Sequence, residues 1–210
     1  MLKIVPHTAG PYLENCWIIG SQKSKTAVII DPGFDGDHVI QILNEEGWVP
    51  KAILATHAHP DHIAAAAFIQ QIFAVPFYIH PDEQPILDSL AVTSQMLGIG
   101  SGQKPDNIQK IEGNDTLQIE DLTFKVIETP GHTPGGVAFL ISGHLFCGDT
   151  LFKDSIGRTD LPGGNWEELQ TSLQKLLQLS AATTVYPGHG EITSIRQARA
   201  SNPYLRELLG

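Results

Sequence analysis

The densest group of potentially reactive side chains in this sequence is the segment 56–62, Thr-His-Ala-His-Pro-Asp-His. It follows residues 51–55, a short apolar run that is typical of a buried strand. Because alternate side chains of an extended segment face the same side, His57 and His59 can reach one metal ion. Asp61 and His62 can turn toward a second ion. The segment therefore predicts metal binding at the end of a strand.

Three later segments each bring one more candidate ligand to the end of an apolar run. VIETPGH ends at His132, LFCGD at Asp149 and TVYPGH at His189. Loops at strand ends are where sheet-based enzymes place reactive groups, because the scaffold fixes them. The complete predicted centre contains His57, His59, Asp61, His62, His132, Asp149 and His189. This set of nitrogen and oxygen ligands suits zinc, iron or manganese better than calcium or magnesium.

Two divalent ions in such a centre predict a hydrolase. Two dications against two carboxylates leave a net positive charge, which favours a bridging hydroxide as the nucleophile. We expect zinc to be the preferred metal, with iron or manganese as alternatives. A Ser or Cys nucleophile has no supporting sequence context. The remaining histidines are predicted to be structural or solvated: His7, His38, His80 and His144.

The patterns along the chain predict packed sheets flanked by helices, in a single domain spanning residues 1–210. Strands are predicted at 2–5, 14–20, 25–31, 51–55, 76–80, 108–112, 116–120, 122–129, 136–142, 144–149 and 183–188. Helices are predicted at about 36–47, 61–73 and 165–179. The segment 81–107 is broken by Pro, Gly and Ser, so we expect loops there, with at most one short helix.

Composition excludes several classes of partner. Apolar residues make up 41% of the sequence, and the net charge is −10 without any block of Lys or Arg, which argues against nucleic-acid binding. We find neither a signal-peptide pattern nor an apolar run near the roughly 18–20 residues that span a bilayer.

Cys16 and Cys147 lie in strand-like runs and are predicted to be buried thiols. We expect a cytoplasmic monomer or small homo-oligomer that does not bind membranes.

Several segments together resemble the metallo-β-lactamase superfamily. HAHPDH at 57–62 matches its His-x-His-x-Asp-His signature, and Asp31, PGHTPG at 130–135, GDTLF at 148–152 and PGHG at 187–190 match its further elements. The resemblance implies an α/β fold, the αββα four-layer sandwich. It implies one metal held by His57, His59 and His132 and a second held by Asp61, His62 and His189. Asp149 would bridge the two metals.

Within that superfamily, GDTLFKDSIGRTDLPGG at 148–164 resembles the small glyoxalase II-like hydrolases. This resemblance implies thioester hydrolysis, with S-D-lactoylglutathione cleaved to D-lactate and glutathione. Asp61 would orient the attacking hydroxide besides binding metal. Arg158 is the candidate for contacting the substrate's carboxylate or amide groups, and a surface ion pair is the alternative role for it.

The main alternative function is a mononuclear iron persulfide dioxygenase on the same scaffold. Its iron would use only His57, His132 and Asp149, which is a two-histidine, one-carboxylate set. The Leu-Pro-Gly-Gly continuation at 161–164 favours the hydrolase. A non-catalytic metal-binding module is the third possibility.

Overall fold

The computed structural model describes residues 1–100 and 102–209, and within these residues the strands form two six-stranded sheets. The strands are β1 (Leu2–Ala9), β2 (Glu14–Ser21), β3 (Thr26–Ile30), β4 (Val49–Leu54), β5 (Phe77–Ile79), β6 (Ile108–Lys110), β7 (Thr116–Ile119), β8 (Leu122–Glu128), β9 (Val137–Ile141), β10 (His144–Gly148), β11 (Thr184–Pro187) and β12 (Thr193–Ser194). The first sheet has the order β1-β2-β3-β4-β5-β6, and the second has the order β12-β11-β10-β9-β8-β7.

Helices cover the outer face of each sheet. They are α1 (Gly36–Glu46), α2 (Pro60–Ile63), α3 (Ala66–Phe73), α4 (Gln84–Asp88), α5 (Leu90–Met96), α6 (Trp166–Leu176), α7 (Ile195–Ser201) and α8 (Pro203–Leu209), and a short 3₁₀ turn spans Pro81–Glu83. In the described part of the chain, none of these helices has the length and apolar content needed to cross a membrane.

Successive side chains of the central strands point to opposite faces of each sheet, and packing on both faces produces four layers. In β3, Ile29 packs toward the helices of the first half, whereas Val28 packs against Phe124 and Phe139 of the second sheet. On the far side of the second sheet, Leu173 of α6 belongs to a third apolar cluster. Both faces of each sheet are therefore buried, which explains the nearly continuous apolar runs in β2 and β3. The predicted αββα sandwich is confirmed.

Two predictions of local structure were wrong. The predicted helix at 61–73 is divided into α2 and α3, because the amide of Ala65 donates to the carbonyl of Pro32 at 3.0 Å instead of continuing one helix. The segment 81–107 contains the 3₁₀ turn, α4 and α5 rather than loops with at most one short helix. Leu87 and Leu90 are buried against the first core, so packing stabilises helices that the Pro- and Ser-containing sequence does not predict.

Contacts between the sheets bring several strand ends to one edge of the sandwich. The amide of Val137, at the start of β9, donates to the carbonyl of Thr56 just after β4, at 2.9 Å. The amide of Asn15 in β2 donates to the carbonyl of Gly188 just after β11, at 2.8 Å. The loops that follow β4, β8, β10 and β11 therefore meet, and these are the loops that carry the predicted ligands.

Candidate metal centre

The segment after β4 is extended and then turns directly into α2. His59 has an extended backbone and occupies the N-cap position, and Pro60 occupies the first helical position, where a missing N–H costs nothing. This turn separates the two histidines of the extended part from Asp61 and His62, which lie in the first helical turn. One short segment thus directs ligand-type side chains to two places.

The first place brings together His57, His59 and His132, a group we call triad 1. One ring nitrogen from each lies within 4.8 Å of the others. The Nδ1 atom of His59 is 3.0 Å from the Nε2 atom of His132. These three imidazoles converge from the segment after β4 and from the loop after β8.

The second place brings together Asp61, His62 and His189, a group we call triad 2, whose ligand atoms also lie within 4.8 Å of one another. The Nε2 atoms of His62 and His189 are 3.3 Å apart, and His189 Nε2 is 3.4 Å from Asp61 Oδ2. His189 comes from the end of β11, so this triad joins the two halves of the chain.

The Asp149 carboxylate lies between the two triads. Its Oδ1 atom is 3.4 Å from His62 Nε2, and its Oδ2 atom is 3.7 Å from His132 Nε2 and 3.6 Å from His189 Nε2. One carboxylate therefore faces members of both triads, which is the position expected of a bridging ligand. The structure thus places all seven predicted residues in one cluster.

Hydrogen bonds on the outer side of four imidazoles orient the opposite nitrogen inward. The Nδ1 atom of His132 donates to the carbonyl of Arg158 at 2.8 Å, and the Nδ1 atom of His189 donates to the carbonyl of Tyr12 at 3.0 Å. His62 Nδ1 lies 3.2 Å from Asp31 Oδ2, and His57 Nδ1 lies 3.0 Å from the Thr56 hydroxyl. Metal-binding histidines characteristically use one nitrogen in this way, which leaves Nε2 as the ligand atom.

Asp31 organises this outer layer through the hydrogen bonds of its carboxylate. Its Oδ1 atom accepts from the amide of Thr56 at 2.7 Å, and its Oδ2 atom accepts from the Thr56 hydroxyl at 2.6 Å. Asp31 is buried, and one of its oxygens lies within 4.8 Å of a ring nitrogen of His57 and of His62. Because both oxygens are already hydrogen-bonded, we assign Asp31 to positioning the ligands rather than to binding metal.

The charges in the cluster favour exchange of protons for metal ions. Burial and neighbouring imidazoles lower the pKa of His59 to about 4 and lower that of His57 well below its usual value, so both rings are neutral and can act as ligands. Burial opposes the charged forms of His62 and Asp149, but their mutual attraction raises the pKa of His62 and lowers that of Asp149. A metal ion that binds the Nε2 atom of His62 takes the place of a proton on that atom, because a ligand imidazole is neutral.

In the described part of the chain, two buried atoms of the cluster lack a hydrogen-bond partner, and this shows whether the residues suit a metal ion. Among the described residues, the buried Nε2 atom of His57 and the buried Oδ1 atom of Asp149 have no hydrogen-bond partner. Leaving such atoms unpaired costs about 1–3 kcal/mol each, so proteins rarely do it without compensation. Metal ions held by the two triads would give each of these atoms a partner. The residues present therefore fit the binding of divalent metal ions.

Glu83 is a site residue that the sequence analysis missed. It is fully buried, its Oε2 atom accepts from the amide of Ala58 at 2.7 Å, and its Oε1 atom accepts from the amide of Gly135 at 2.8 Å. Ala58 lies between two ligands of triad 1, and Gly135 follows the loop that carries the third. One carboxylate thus clamps both loops. Its partners are backbone amides, so no residue pattern in the sequence marks it.

We expect Glu83→Gln to weaken metal binding by about 10- to 100-fold, the range usual for residues that orient metal ligands. The amide group would place a donor opposite one of two backbone donors, which leaves that N–H unpaired and costs about 1–3 kcal/mol of unfolding free energy. Competition with a chelator and thermal unfolding measure the two effects. Asp82→Asn is the matched control, because Asp82 is the exposed neighbour. Equal metal affinity in Glu83→Gln and wild type would rule out the clamp.

Arg158 lies beside the centre, but its guanidinium contacts another side chain. Nε and Nη2 donate to the two carboxylate oxygens of Asp160 at 2.7 and 2.8 Å, and both side chains are exposed. The ion pair lowers the pKa of Asp160 to about 2. The backbone carbonyl of Arg158 meanwhile accepts from His132. A substrate contact by its side chain stays a prediction.

Comparison with known proteins agrees with the fold. A hydroxyacylglutathione hydrolase GloC from Haemophilus influenzae is 36% identical over 97% of both chains. The crystal structure of the BLEG-1 B3 metallo-β-lactamase is 39% identical, with a TM-score of 0.86 over 98% of this chain and 99% of that one. TTHA1623 in a di-iron-bound form is 35% identical, with a TM-score of 0.87 over 96% and 100%.

The family model for the metallo-β-lactamase superfamily matches residues 9–189, a range that contains both triads and Asp149. Together with a relative that covers nearly the whole chain, this match supports a metal-dependent hydrolase. The chain belongs to the metallo-β-lactamase superfamily.

Proposed function

We propose that this protein hydrolyses thioesters, with S-D-lactoylglutathione as the representative substrate, at a centre of two divalent metal ions. The observation that carries the proposal is that two complete triads of ligands meet at one carboxylate, Asp149. The resemblance of the loop at 148–164 to glyoxalase II-like hydrolases and the relative named GloC support the choice of substrate.

Each metal ion would be held by its own group of ligands. His57, His59 and His132 would hold one ion, Asp61, His62 and His189 the other, and Asp149 would contact both. When bound, such ions polarise a carbonyl oxygen, make a water molecule acidic enough to attack near neutral pH and accept a leaving thiolate. The protein itself supplies the orientation of these ligands through Asp31, Thr56 and Glu83.

Asp61 is the candidate for orienting the attacking water. Burial alone would raise its pKa, but the hydrogen bond with His189 and the charge of His62 outweigh burial and lower it. Asp61 is therefore an ionised hydrogen-bond acceptor at neutral pH rather than a strong base. Its side chain is 18% exposed, in contrast to the fully buried His62, so it reaches the solvent side of the cluster.

We propose zinc as the metal, because its affinity for imidazole and for the sulfur of a leaving thiolate suits this reaction. Iron is the competing occupant, since the related TTHA1623 has been seen in a di-iron form. A reducing compartment such as the cytoplasm suits the proposal, because Cys16 and Cys147 are free, buried thiols.

The experiment that tests the proposed function is a substrate panel on protein whose metal content has been measured. Lactoyl thioesters of glutathione, coenzyme A and a simple thiol are compared with a cephalosporin and with oxygen uptake on glutathione persulfide. We expect the glutathione thioester to give the highest kcat/KM and Asp61→Ala to abolish its hydrolysis. The cephalosporin is included because BLEG-1 is named a lactamase.

Three outcomes would contradict the proposal. Hydrolysis of the cephalosporin without hydrolysis of any thioester would make the protein a lactamase. Oxygen uptake with one iron per chain would make it a dioxygenase. An unchanged rate in Asp61→Ala would remove the role we give to that carboxylate.

Arg158→Ala tests substrate recognition separately from catalysis. If the guanidinium contacts a carboxylate of glutathione, its loss should raise KM up to about 5-fold, the size of one exposed ionic contact, without changing kcat. The carbonyl that orients His132 belongs to the backbone and is retained. Asp160→Asn, which removes the partner and leaves the arginine, is the control and should not raise KM. An unchanged KM in Arg158→Ala would leave Arg158 with only the surface ion pair.

A further inference from the structure

A second cluster of metal-ligand side chains lies outside the two triads and shares no residue with them. His7 near the end of β1, Asp35 just before α1 and His38 in the first turn of α1 place their ligand atoms within 4.8 Å of one another. The sequence analysis assigned both histidines to structural or solvated roles, because each is an isolated histidine in the sequence. The fold brings them together.

The ligand atoms of these three residues are slightly farther apart than they would be around a bound metal ion. His7 Nε2 and His38 Nδ1 each lie 3.9 Å from the same oxygen, Asp35 Oδ2. The two rings meet edge to face with centroids 4.7 Å apart. Ligand atoms on a tetrahedral zinc ion are separated by about 3.3 Å when the bonds are near 2.0 Å. Asp35 and His38 have exposed side chains, and small rotations of these side chains would shorten the 3.9 Å separations to the tetrahedral spacing.

His7 provides an independent indication of a ligand. Its side chain is only 6% exposed, yet its Nε2 atom, which faces Asp35, has no hydrogen-bond partner among the described residues. Burial and the nearby His38 lower the pKa of His7, so the ring is neutral near pH 7. A buried neutral imidazole with an unpaired nitrogen directed at a carboxylate has the state that a metal ligand requires.

Asp35 is also free to serve this cluster. It stands at the start of α1, where an aspartate commonly accepts hydrogen bonds from the first helical amides, but its side chain makes no such bond. Within the cluster, the Asp35 carboxylate lies near the rings of His7 and His38. Two imidazoles and one carboxylate suit a borderline transition-metal ion and are poor ligands for calcium or magnesium.

We infer that His7, Asp35 and His38 form a third site for a divalent transition-metal ion, with zinc as the reference ion, that ties β1 to the start of α1. The site is preorganised only at His7, because the side chains of the other two ligands are exposed. It therefore binds zinc more weakly than the buried triads and fills after them.

The test is a zinc titration of the full-length protein, in which the metal bound per chain is measured by equilibrium dialysis and elemental analysis. Wild type should bind three zinc ions, with the third weaker than the first two. His38→Ala and Asp35→Asn should bind two. His144→Ala is the matched control, because His144 is a partly buried histidine that contacts Tyr186 elsewhere, and it should still bind three.

Imidazole NMR shifts provide a second readout that does not depend on activity. The third equivalent of zinc should shift the ring signals of His7 and His38 in wild type and leave that of His144 unchanged. Binding of only two zinc ions by wild type, or retention of the third ion by His38→Ala, would overturn the inference. Thioester hydrolysis by His38→Ala should equal that of wild type, so this result is separate from the proposed function.

Discussion

Asp149→Asn should lower kcat/KM for thioester hydrolysis by more than about 100-fold, beyond the range usual for residues that only orient ligands. The substitution removes a carboxylate that faces both triads, and with it a negative charge that lies 3.4 Å from His62 Nε2 and 3.7 Å from His132 Nε2. We expect both metal ions to bind more weakly, not just one. Activity assays and metal analysis of the same preparation measure the two effects.

Asp154→Asn is the matched control for this substitution. Asp154 lies on the loop that follows Asp149, is exposed and loses the same charge in the same chemical change. It should retain two metals and full activity. If Asp149→Asn keeps both metals with unchanged affinity, then Asp149 does not bridge them.

Gly188→Ala should remove activity by a different route, namely by filling the space between the metal ligands. A methyl group on Gly188 would overlap Asp149 Oδ1 and contact His62 Cε1 at 2.5 Å, closer than side chains normally approach. The backbone there is held by hydrogen bonds to Asn15 and to the carbonyl of Gly148, so it cannot withdraw easily. We expect loss of metal, a fall in activity of at least about 100-fold and destabilisation of about 1–3 kcal/mol.

Gly190→Ala separates the steric effect from the effect of backbone conformation. Gly190 has a φ of 76°, and a methyl group there would meet no atom within 4 Å. Its substitution should cost about 1–2 kcal/mol of stability, because an L-residue is strained in that region, but should leave metal content intact. Equal metal content in Gly188→Ala and Gly190→Ala would contradict the proposed crowding. Metal analysis together with denaturant unfolding makes the comparison.

The layered fold could be anticipated because its central strands are buried on both faces. Strands such as β3, in which all five residues are buried, read as continuous apolar runs, and turn residues such as Asp31-Pro32-Gly33 end them. The short helices α4 and α5 could not be anticipated in the same way. Their stability depends on packing of Leu87 and Leu90 into the first core, which is a contact of the folded chain.

The ligand set could be anticipated because each member ends an apolar run or belongs to one dense segment. The residues that orient the ligands could not. Glu83 and Asp31 act on backbone amides and on Thr56, so their roles depend on which loops the fold brings together. The cluster of His7 and His38 was missed for the same reason, since only the pairing of β1 with β2 and the position of α1 bring the two rings together.

The most direct test of the two-metal centre is X-ray diffraction at the zinc absorption edge on crystals of zinc-loaded protein. The account predicts two anomalous peaks about 3.5–4 Å apart, the spacing usual for two-metal hydrolases. One peak should be contacted by His57, His59 and His132, the other by Asp61, His62 and His189, and both by Asp149. A single peak among these residues, or two peaks of which only one contacts Asp149, would contradict it.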